Sequence, residues 1–463
     1  MLTYDLSRRG RLSRYDYLYR CIKDDILTGR IKAGERLPSK RILAQHLETA
    51  VVTVENAYGQ LIAEGYVSAK EKRGYYVNQM EKRKEPDHEV GKKQTIVSEQ
   101  VKWQFDLKGE GSGAEGFPFS VWAKLMRQVL TEEGERLLQA LPHSGVMELR
   151  RAIARHVYQF RGIAAQPEQI VVGAGTEYLY NLLVQLLGRD QIYGIEDPGY
   201  SKAVKIYQLN GASCVSIPVD EKGAQPDAVE QSDVQVLHIS PNHQFPTGTV
   251  MPIARRQRLL NWAKDEPRRY IIEDDYDSEF RFTGLPIPTM QSIDTGGRVI
   301  YINTFSRSLA PSLRISYMIL PEGLLTLYQS RLGFYSCTVP AIEQYTLARF
   351  LEEGRFEAHI NRMRGSYRSR RDTVLTALRN SSLAGKYRVV GENAGLHFLV
   401  VLDTGKSDDE LVELAKRRGI RLAFLSQYQI QPGAASAHVL VVNYPGIDLP
   451  QWEQALEELA ILL

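Results

Sequence analysis

Apolar residues recur every three or four positions in three stretches of the first 65 residues, which predicts three short helices. Gly29 and Gly65 follow the first and third stretches and are expected to end those helices, while Ser39 precedes the second and is expected to cap it. Residues 66–77 then alternate like a two-stranded hairpin with a basic tip. The apolar positions are Leu18, Cys21, Ile22 and Ile26, then Ile42, Leu43 and Leu47, then Val54, Tyr58, Leu61 and Ile62.

From Trp103 onward the pattern changes to short apolar runs that alternate with helical stretches. Each run ends in polar, Gly or Pro residues, as buried parallel strands do when the loops at their carboxyl ends carry function. We therefore predict a large α/β domain, followed from about Thr338 by a smaller α+β part. The runs are "EQIVVGAG", "QIYGIEDPGY", "DVQVLHISPNHQFPTG", "RRYIIEDDYDSEF" and "RVIYINTFSRS".

Length and composition support a multidomain protein. A chain of 463 residues, with 43% hydrophobic and 24% charged residues, has the size of two or three globular domains. Residues 78–102 contain 11 charged residues and no aromatic one, so they cannot bury a core and are expected to be a flexible linker. The predicted organisation is a winged helix-turn-helix at 11–77, this linker, and the α/β domain at 103–463.

Charge and cysteine usage narrow the class of protein further. Residues 1–77 hold 14 Lys and Arg against 9 Asp and Glu, a balance of +5, whereas the whole chain balances at +3. A basic first domain is compatible with a nucleic-acid partner or with an ordinary solvated surface. The three cysteines form neither a disulfide framework nor a zinc pattern, and no metal site is predicted. Without a signal peptide or membrane span, the protein is expected in the cytoplasm.

Residues at the ends of the predicted strands indicate a phosphate site. Gly175 and Thr176 lie between a strand and a helix, where backbone N–H groups can bind a phosphate, although a tight turn explains the same residues. Thr304, Ser306 and Arg314 follow another strand and suit an anion.

Two further residues suit a flat ring. Asp274 ends a buried strand and could hold a ring nitrogen protonated, or it could be a solvated acid. Tyr200 could stack on a planar ligand or bond to it. Together with the phosphate residues, they describe a site for a phosphorylated, planar, nitrogen-containing ring.

Residues 11–77 resemble the GntR-type winged-helix DNA-binding domain in the runs "GERLPSKRILAQHL" and "AEGYVSAKEKRGYYV". The resemblance implies that the third helix enters the major groove of double-stranded DNA. One departure concerns the start of that helix, where Ala50, Val51 and Val52 replace the family's polar residues, so base readout is expected to use apolar contacts. The implied DNA-binding residues are Arg41, Val52, Thr53, Asn56, Arg73 and Gly74.

Residues 103 to about 450 resemble fold-type I, class I aminotransferases, which bind pyridoxal 5′-phosphate. The runs "HQFPTGTVMPIARRQRLLNWA", "YIIEDDYDSEFRF" and "TFSRSLAPSLRISYMILP", joined to the winged helix, look like the MocR/GabR family of regulators. That family implies a homodimeric transcription factor whose aminotransferase-like domain senses a cofactor or an amino-acid-like effector. The implied cofactor-binding residues are Gly175, Thr176, Tyr200, Asp274, Tyr276, Thr304, Ser306 and Arg314, and the implied effector-binding residues are Lys202 and Arg421.

Arg307 occupies the position of the family's Schiff-base lysine. A guanidinium stays protonated and has no free amine lone pair, so a covalent bond to the cofactor is excluded there. Transamination needs that amine as a proton shuttle, so aminotransferase turnover is expected to be absent. Two further departures are Phe245, in place of the asparagine of catalytic aminotransferases, and Glu177, a carboxylate near the expected phosphate site.

Several states of the site stay open from the sequence. It could bind pyridoxal phosphate noncovalently or as a preformed amino-acid adduct, bind another anionic effector, or bind nothing and keep Asp274 and Arg314 as remnants. Two functions compete accordingly: a ligand-responsive DNA-binding regulator, and an aminotransferase with a DNA-binding appendage.

Overall fold

A computed structural model describes residues 2–10, 12–71, 73–79, 103–108, 116–282, 287–393, 395–430 and 438–463. The chain divides into two compact units, residues 1–100 and 101–463. Nearly all of the predicted linker at 78–102 lies outside the described residues.

The first unit contains the three predicted helices and the predicted hairpin, and a short strand, β1 (Arg36–Leu37), that was not predicted pairs with the hairpin. Ser13 and Ser39 cap the first two helices, and their side chains accept hydrogen bonds from the backbone N–H groups of Asp16 and Ile42, both at 3.3 Å. The strands pair in the order β1-β3-β2. The elements are α1 (Arg14–Leu27), β1 (Arg36–Leu37), α2 (Lys40–His46), α3 (Val51–Ala63), β2 (Val67–Lys70) and β3 (Gly74–Val77).

The core of this unit corrects two of the predicted inward positions. Leu43 and Leu61 are buried as predicted, but Ile42 and Ile62 are 51% and 37% exposed. Each is the residue next to a buried one on a short helix, so the helix turns it out of the narrow apolar face. Ala57 contributes to the core instead.

The second unit contains the remaining elements. Its helices are α4 (Phe119–Glu132), α5 (Met147–Arg161), α6 (Thr176–Leu187), α7 (Ser201–Leu209), α8 (Pro226–Glu230), α9 (Ile253–Asp265), α10 (Met290–Ile293), α11 (Phe305–Ser308), α12 (Glu322–Leu332), α13 (Ala341–Glu352), α14 (Arg355–Asn380), α15 (Asp408–Arg417) and α16 (Leu449–Leu462). Its strands are β4 (Phe105–Asp106), β5 (Ile170–Gly173), β6 (Ile192–Asp197), β7 (Ser213–Asp220), β8 (Gly223–Ala224), β9 (Val236–Ile239), β10 (Tyr270–Asp274), β11 (Val299–Thr304), β12 (Ser316–Ile319), β13 (Tyr387–Val390), β14 (Phe398–Leu402), β15 (Ile420–Arg421) and β16 (Val439–Val442).

An eight-stranded sheet forms the centre of the second unit, in the order β5-β12-β11-β10-β9-β6-β7-β8. The neighbours β11, β10, β9, β6 and β7 pair in parallel, so the strand ends at Thr304 and Asp274 lie at the same edge. Strand β12 runs antiparallel between β11 and β5, which the sequence pattern did not reveal. All five apolar runs quoted above form strands of this sheet.

A smaller part follows along the chain. Strands β13, β14 and β16 pair in an antiparallel sheet, and the 26-residue helix α14 precedes it. The short strand β15 pairs in parallel with β4 near the start of the unit. Cys21, Cys214 and Cys337 are free thiols of intermediate exposure. In the described parts of the chain, no helix is long and apolar enough to cross a bilayer.

Candidate functional site

Asp274 lies at the end of β10 with one bonded and one unbonded carboxylate oxygen. The hydroxyl of Tyr180 donates to Oδ2, and His238 Nε2 lies 3.4 Å from the same oxygen. Oδ1 is buried and has no hydrogen-bond partner among the described residues. A buried carboxylate oxygen normally accepts a hydrogen bond, so Oδ1 is available to accept one from a ligand.

A buried polar network fixes the strand ends beneath this carboxylate. Asp275 forms an ion pair with Arg161 at 2.7 Å and accepts from the Tyr301 hydroxyl at 2.6 Å and from Asn242 at 3.1 Å. Asn242 also donates to Glu273 at 3.2 Å. Glu273 and Asp275, the neighbours of Asp274, are therefore bound to other protein groups. Asp274 is left as the acid among these three that can contact a ligand.

The predicted phosphate residues come together beside the strand ends. Gly175 has a φ of +91°, and a Cβ there would lie 2.3 Å from Nη2 of Arg314, so only glycine allows this close approach. Thr304 Oγ1 accepts from the Ser306 N–H at 3.1 Å and from Ser316 Oγ at 2.7 Å. The Ser306 hydroxyl is buried without a partner among the described residues, so it remains available to an anion.

Glu177 supplies an internal anion at the same place. Its carboxylate lies 3.2 Å from Arg314 Nη2 and 3.6 Å from Lys202 Nζ. Thr176 begins α6 one residue earlier, so both residues are held at the N-terminus of that helix. Lys202 and Arg421, both predicted to bind an effector, contact different carboxylates, since Arg421 lies 3.3 Å from Asp106.

Aromatic side chains line the site next to these charges. Phe245 packs edge-on against Tyr200, with ring centroids 6.3 Å apart, and against Tyr276 at 6.1 Å. The pKa of Tyr200 is raised to about 12, chiefly by burial and then by Glu177 and Asp274, whereas Arg307 and Arg314 oppose the shift. All four charges therefore act on Tyr200.

Arg307 is half-buried on α11, directly after β11. Its guanidinium forms no hydrogen bond or ion pair with any residue that the structure describes. It acts electrostatically on Tyr200, Tyr276, Asp277 and His397, and it lowers the pKa of His397 in addition to the larger effect of burial. Arg307 therefore lies at the sheet edge where β10 and β11 end, and it has no partner among the described residues.

A buried group of His243, Asp277 and His397 was not predicted from the sequence. Nδ1 of His243 lies 2.9 Å from Asp277 Oδ2 and 3.1 Å from the Tyr276 hydroxyl. His397 Nε2 lies 3.0 Å from the Pro246 carbonyl oxygen, and burial lowers the pKa of this histidine to about 3. Tyr276, which the resemblance implies to bind the cofactor, therefore already has a protein partner. The only indication of this group in the sequence was that His243 and His397 lie in polar loops.

The predicted DNA-binding residues form part of the surface of the first unit. Arg41, Val52, Asn56 and Arg73 are exposed, whereas Thr53 and Gly74 are of intermediate exposure. The two arginines form no ion pair with the residues that the structure describes. No side chain caps α3, because Ala50 occupies the N-cap.

Comparisons with known proteins agree with this two-part architecture. The model of the bacterial regulatory proteins of the gntR family matches residues 14–77, and that of aminotransferase class I and II matches residues 108–459. This chain belongs to the GntR-type transcriptional regulators that carry an aminotransferase-like domain. The predicted resemblance and fold class are therefore confirmed, and the regulator interpretation is favoured over the enzyme.

Individual relatives support the same assignment. The chain is 40% identical to the uncharacterized HTH-type transcriptional regulator YdeL of Bacillus subtilis, over 93% of both chains. It is 30% identical to the probable rhizopine catabolism regulatory protein MocR of Rhizobium meliloti, over 98% of this chain and 94% of that one. Among solved structures it is similar to LysN, the α-aminoadipate aminotransferase of Thermus thermophilus complexed with N-(5′-phosphopyridoxyl)-L-leucine. That match has a TM-score of 0.67 and 25% identity, and covers 78% of this chain and 92% of LysN.

Proposed function

We propose that this regulator binds operator DNA through its first unit and senses pyridoxal 5′-phosphate, or an adduct of it with an amino acid, through its second. The observation that carries the sensing function is the buried Oδ1 of Asp274 at the end of β10, which has no hydrogen-bond partner among the residues that the structure describes. In a fold whose families use pyridoxal phosphate, a carboxylate at this place stabilises a protonated ring nitrogen. The proposal places the protein in the cytoplasm, where its DNA is.

The residues of this chain fit the cofactor at both of its ends. Asp274 would accept from the ring nitrogen, while Arg314, the Ser306 hydroxyl and the backbone at Gly175 and Thr176 would hold the phosphate. When bound, pyridoxal phosphate supplies an electrophilic aldehyde and an electron-accepting ring. Glu177 must leave Arg314 or share it, so the phosphate competes with an internal carboxylate for that guanidinium. Tyr200 and Phe245 would cover the ring.

We further propose that the domain does not catalyse transamination. Arg307 stands where catalytic relatives use a lysine, and a guanidinium can neither form a Schiff base nor carry protons at neutral pH. The purified protein, mixed with pyridoxal phosphate and a panel of amino donors, is expected to produce no keto acid. Production of a keto acid at catalytic rates would support the enzyme alternative.

The proposed working form is a homodimer. A regulator that reads paired half-sites needs two winged helices, and the half-site spacing then follows from the symmetry of the dimer. In this proposal residues 78–102 link the two units. Light scattering at micromolar concentration is expected to give twice the chain mass, and a particle of 52.5 kDa would contradict the proposal.

The DNA-binding function is tested with a duplex enriched from a random pool by the purified full-length chain. We expect one enriched sequence with two related half-sites and a salt-dependent affinity, because phosphate contacts release counterions. Enrichment of no sequence above the unselected pool would contradict operator recognition.

A further inference from the structure

Two arginines near Tyr200, Arg307 and Arg314, differ in whether an acidic side chain of the protein neutralises them. Arg314 forms an ion pair within the protein, since Glu177 Oε2 lies 3.2 Å from its Nη2. Arg307 has no acidic side chain within ion-pair distance among the described residues. Arg307 follows the end of β11, the strand that pairs in parallel with β10, and therefore lies at the same edge of the sheet as Asp274. It also opposes the rise in the pKa of Tyr200, as a nearby cation does.

Asp277, whose pKa Arg307 helps to lower, is held by other groups. Asp277 lies 2.9 Å from Nδ1 of His243 and accepts from the backbone N–H of Leu396 at 3.3 Å. It is 2% exposed, so it cannot extend toward another partner without breaking these contacts. Arg307 therefore keeps an unsatisfied positive charge beside the aromatic residues.

A half-buried guanidinium without a partner favours a planar anion. Carboxylates match its fork of N–H donors with two parallel hydrogen bonds. An aldehyde offers it only one weak acceptor, and a primary ammonium is repelled by it. Arg307 thus discriminates between the substituents that a pyridine ligand can carry.

We propose that Arg307 selects a pyridine 5′-phosphate that carries a carboxylate on, or directly attached to, the substituent where pyridoxal phosphate has its aldehyde. This inference rests on the proposed function, because it assumes that Asp274 and Arg314 hold the ring and the phosphate. Two sources provide this chemistry: the ring acid itself, formed when the aldehyde is oxidised elsewhere, and an amino-acid adduct whose carboxylate comes from the amino acid.

The test is a calorimetric titration of the full-length protein with a matched series of ligands. The probes are 4-pyridoxic acid 5′-phosphate, N-(5′-phosphopyridoxyl)-L-leucine, pyridoxal phosphate and pyridoxamine phosphate. We expect at least one carboxylate ligand to bind about tenfold or more tightly than pyridoxal phosphate, and pyridoxamine phosphate to bind most weakly. The order of the two carboxylate ligands identifies the source.

Two variants assign the preference to Arg307. Arg307→Met removes the cation and is expected to reduce the preference to about twofold or less while pyridoxal phosphate still binds. Arg268→Met is the matched control, because Arg268 is an exposed arginine paired with Asp190, and it is expected to keep the full preference. The wild-type ligand order tests the inference even if Arg307→Met does not fold.

The outcomes separate this inference from the proposed function. Equal binding of all four ligands to the wild-type chain would overturn the selection by charge and leave the cofactor site standing. A preference that survives in Arg307→Met would overturn the role of Arg307. If no ligand binds, the proposed sensing function and the inference fall together, whereas the DNA-enrichment experiment still decides on operator recognition.

Discussion

The two units of this regulator handle charge in opposite ways. In the winged-helix unit, the pKa of Glu64 is lowered to about 2, chiefly by a hydrogen bond from Lys23 on the surface, and Arg41 and Arg73 are exposed. In the aminotransferase-like domain, burial raises the pKa of Glu196 to about 8. In the proposed function, the exposed charges of the first unit meet a large polyanion, and the buried charges of the second surround a small ligand.

This difference explains why the two functions are recognised by different structural features. A DNA-binding surface needs exposed cations, with side chains free to reach phosphates and base edges. A ligand site instead needs buried polar atoms that the protein leaves unpaired, and within the described parts of the chain Asp274 Oδ1 and Ser306 Oγ are such atoms. Exposed arginines are common, and Glu196 and Glu279 also have a buried carboxylate oxygen without a partner among the described residues. The position of Asp274 at the end of β10 is therefore what makes its free oxygen the more specific feature.

Arg307→Lys should produce the largest change, because it converts reversible binding into covalent binding. The wild-type protein with pyridoxal phosphate is expected to show no imine absorption band, and borohydride should attach no cofactor at position 307. In the variant an amine returns to the site, so the band should appear and reduction should trap cofactor on the new lysine, as peptide mass spectrometry can verify. Covalent cofactor at position 307 in the wild type would contradict this account.

Asp274→Asn should weaken binding of pyridine phosphates by roughly 10- to 100-fold, because a neutral amide no longer pairs with a protonated ring nitrogen. Binding is measured by calorimetry with pyridoxal phosphate. Asp227→Asn serves as the control, since Asp227 pairs with Arg258 on the surface. An unchanged affinity in Asp274→Asn would mean that the ring is not held at this strand end.

Arg41→Ala and Arg73→Ala test the proposed DNA-binding surface of the first unit. Each is expected to weaken binding to the enriched duplex by about 1 to 3 kcal/mol where a base contact is lost, or to reduce the salt dependence where a phosphate contact is lost. Arg20→Ala is a matched control in the same unit, because Arg20 pairs with Asp16 on α1. Gel-shift affinities equal to wild type in both variants would contradict the assigned surface.

Glu196→Gln should give a smaller effect that depends on pH. The folded-state pKa of Glu196 lies above its unfolded value, so its contribution to stability is fully present below about pH 4.5 and is lost as the pH rises through 8. The melting temperature of the wild type should therefore fall more steeply between pH 5 and 8 than that of the variant. Parallel curves would show that this carboxyl is not held neutral.

Much of the fold was predictable because local signals decide it. Ser39 caps α2 as its position predicts, and the five apolar runs form strands whose ends meet at one edge of the sheet. Ile42 and Ile62 were assigned wrongly, since spacing alone does not fix the width of the buried face. Strand β12 was not predicted, because its antiparallel pairing with β5 depends on residues far away in the sequence.

The site was predictable residue by residue but not in its contacts. The sequence indicated Asp274 and Arg314, yet it could not show that Tyr180 and His238 bond one oxygen of Asp274 and leave the other free. Nor could it show that Glu177 reaches Arg314. These contacts join residues that are 36 to 137 positions apart in the chain, so only the folded sheet brings them together.

The central claim is that a ligand in the aminotransferase-like domain changes DNA binding. It is tested most directly by measuring the affinity of the wild-type protein for the enriched duplex, with and without saturating pyridine phosphate ligand. We predict a change of about fivefold or more, the usual range of coupling between two sites, with no keto acid formed when an amino donor is present. A ligand that binds the protein and leaves the affinity for DNA unchanged would contradict the account.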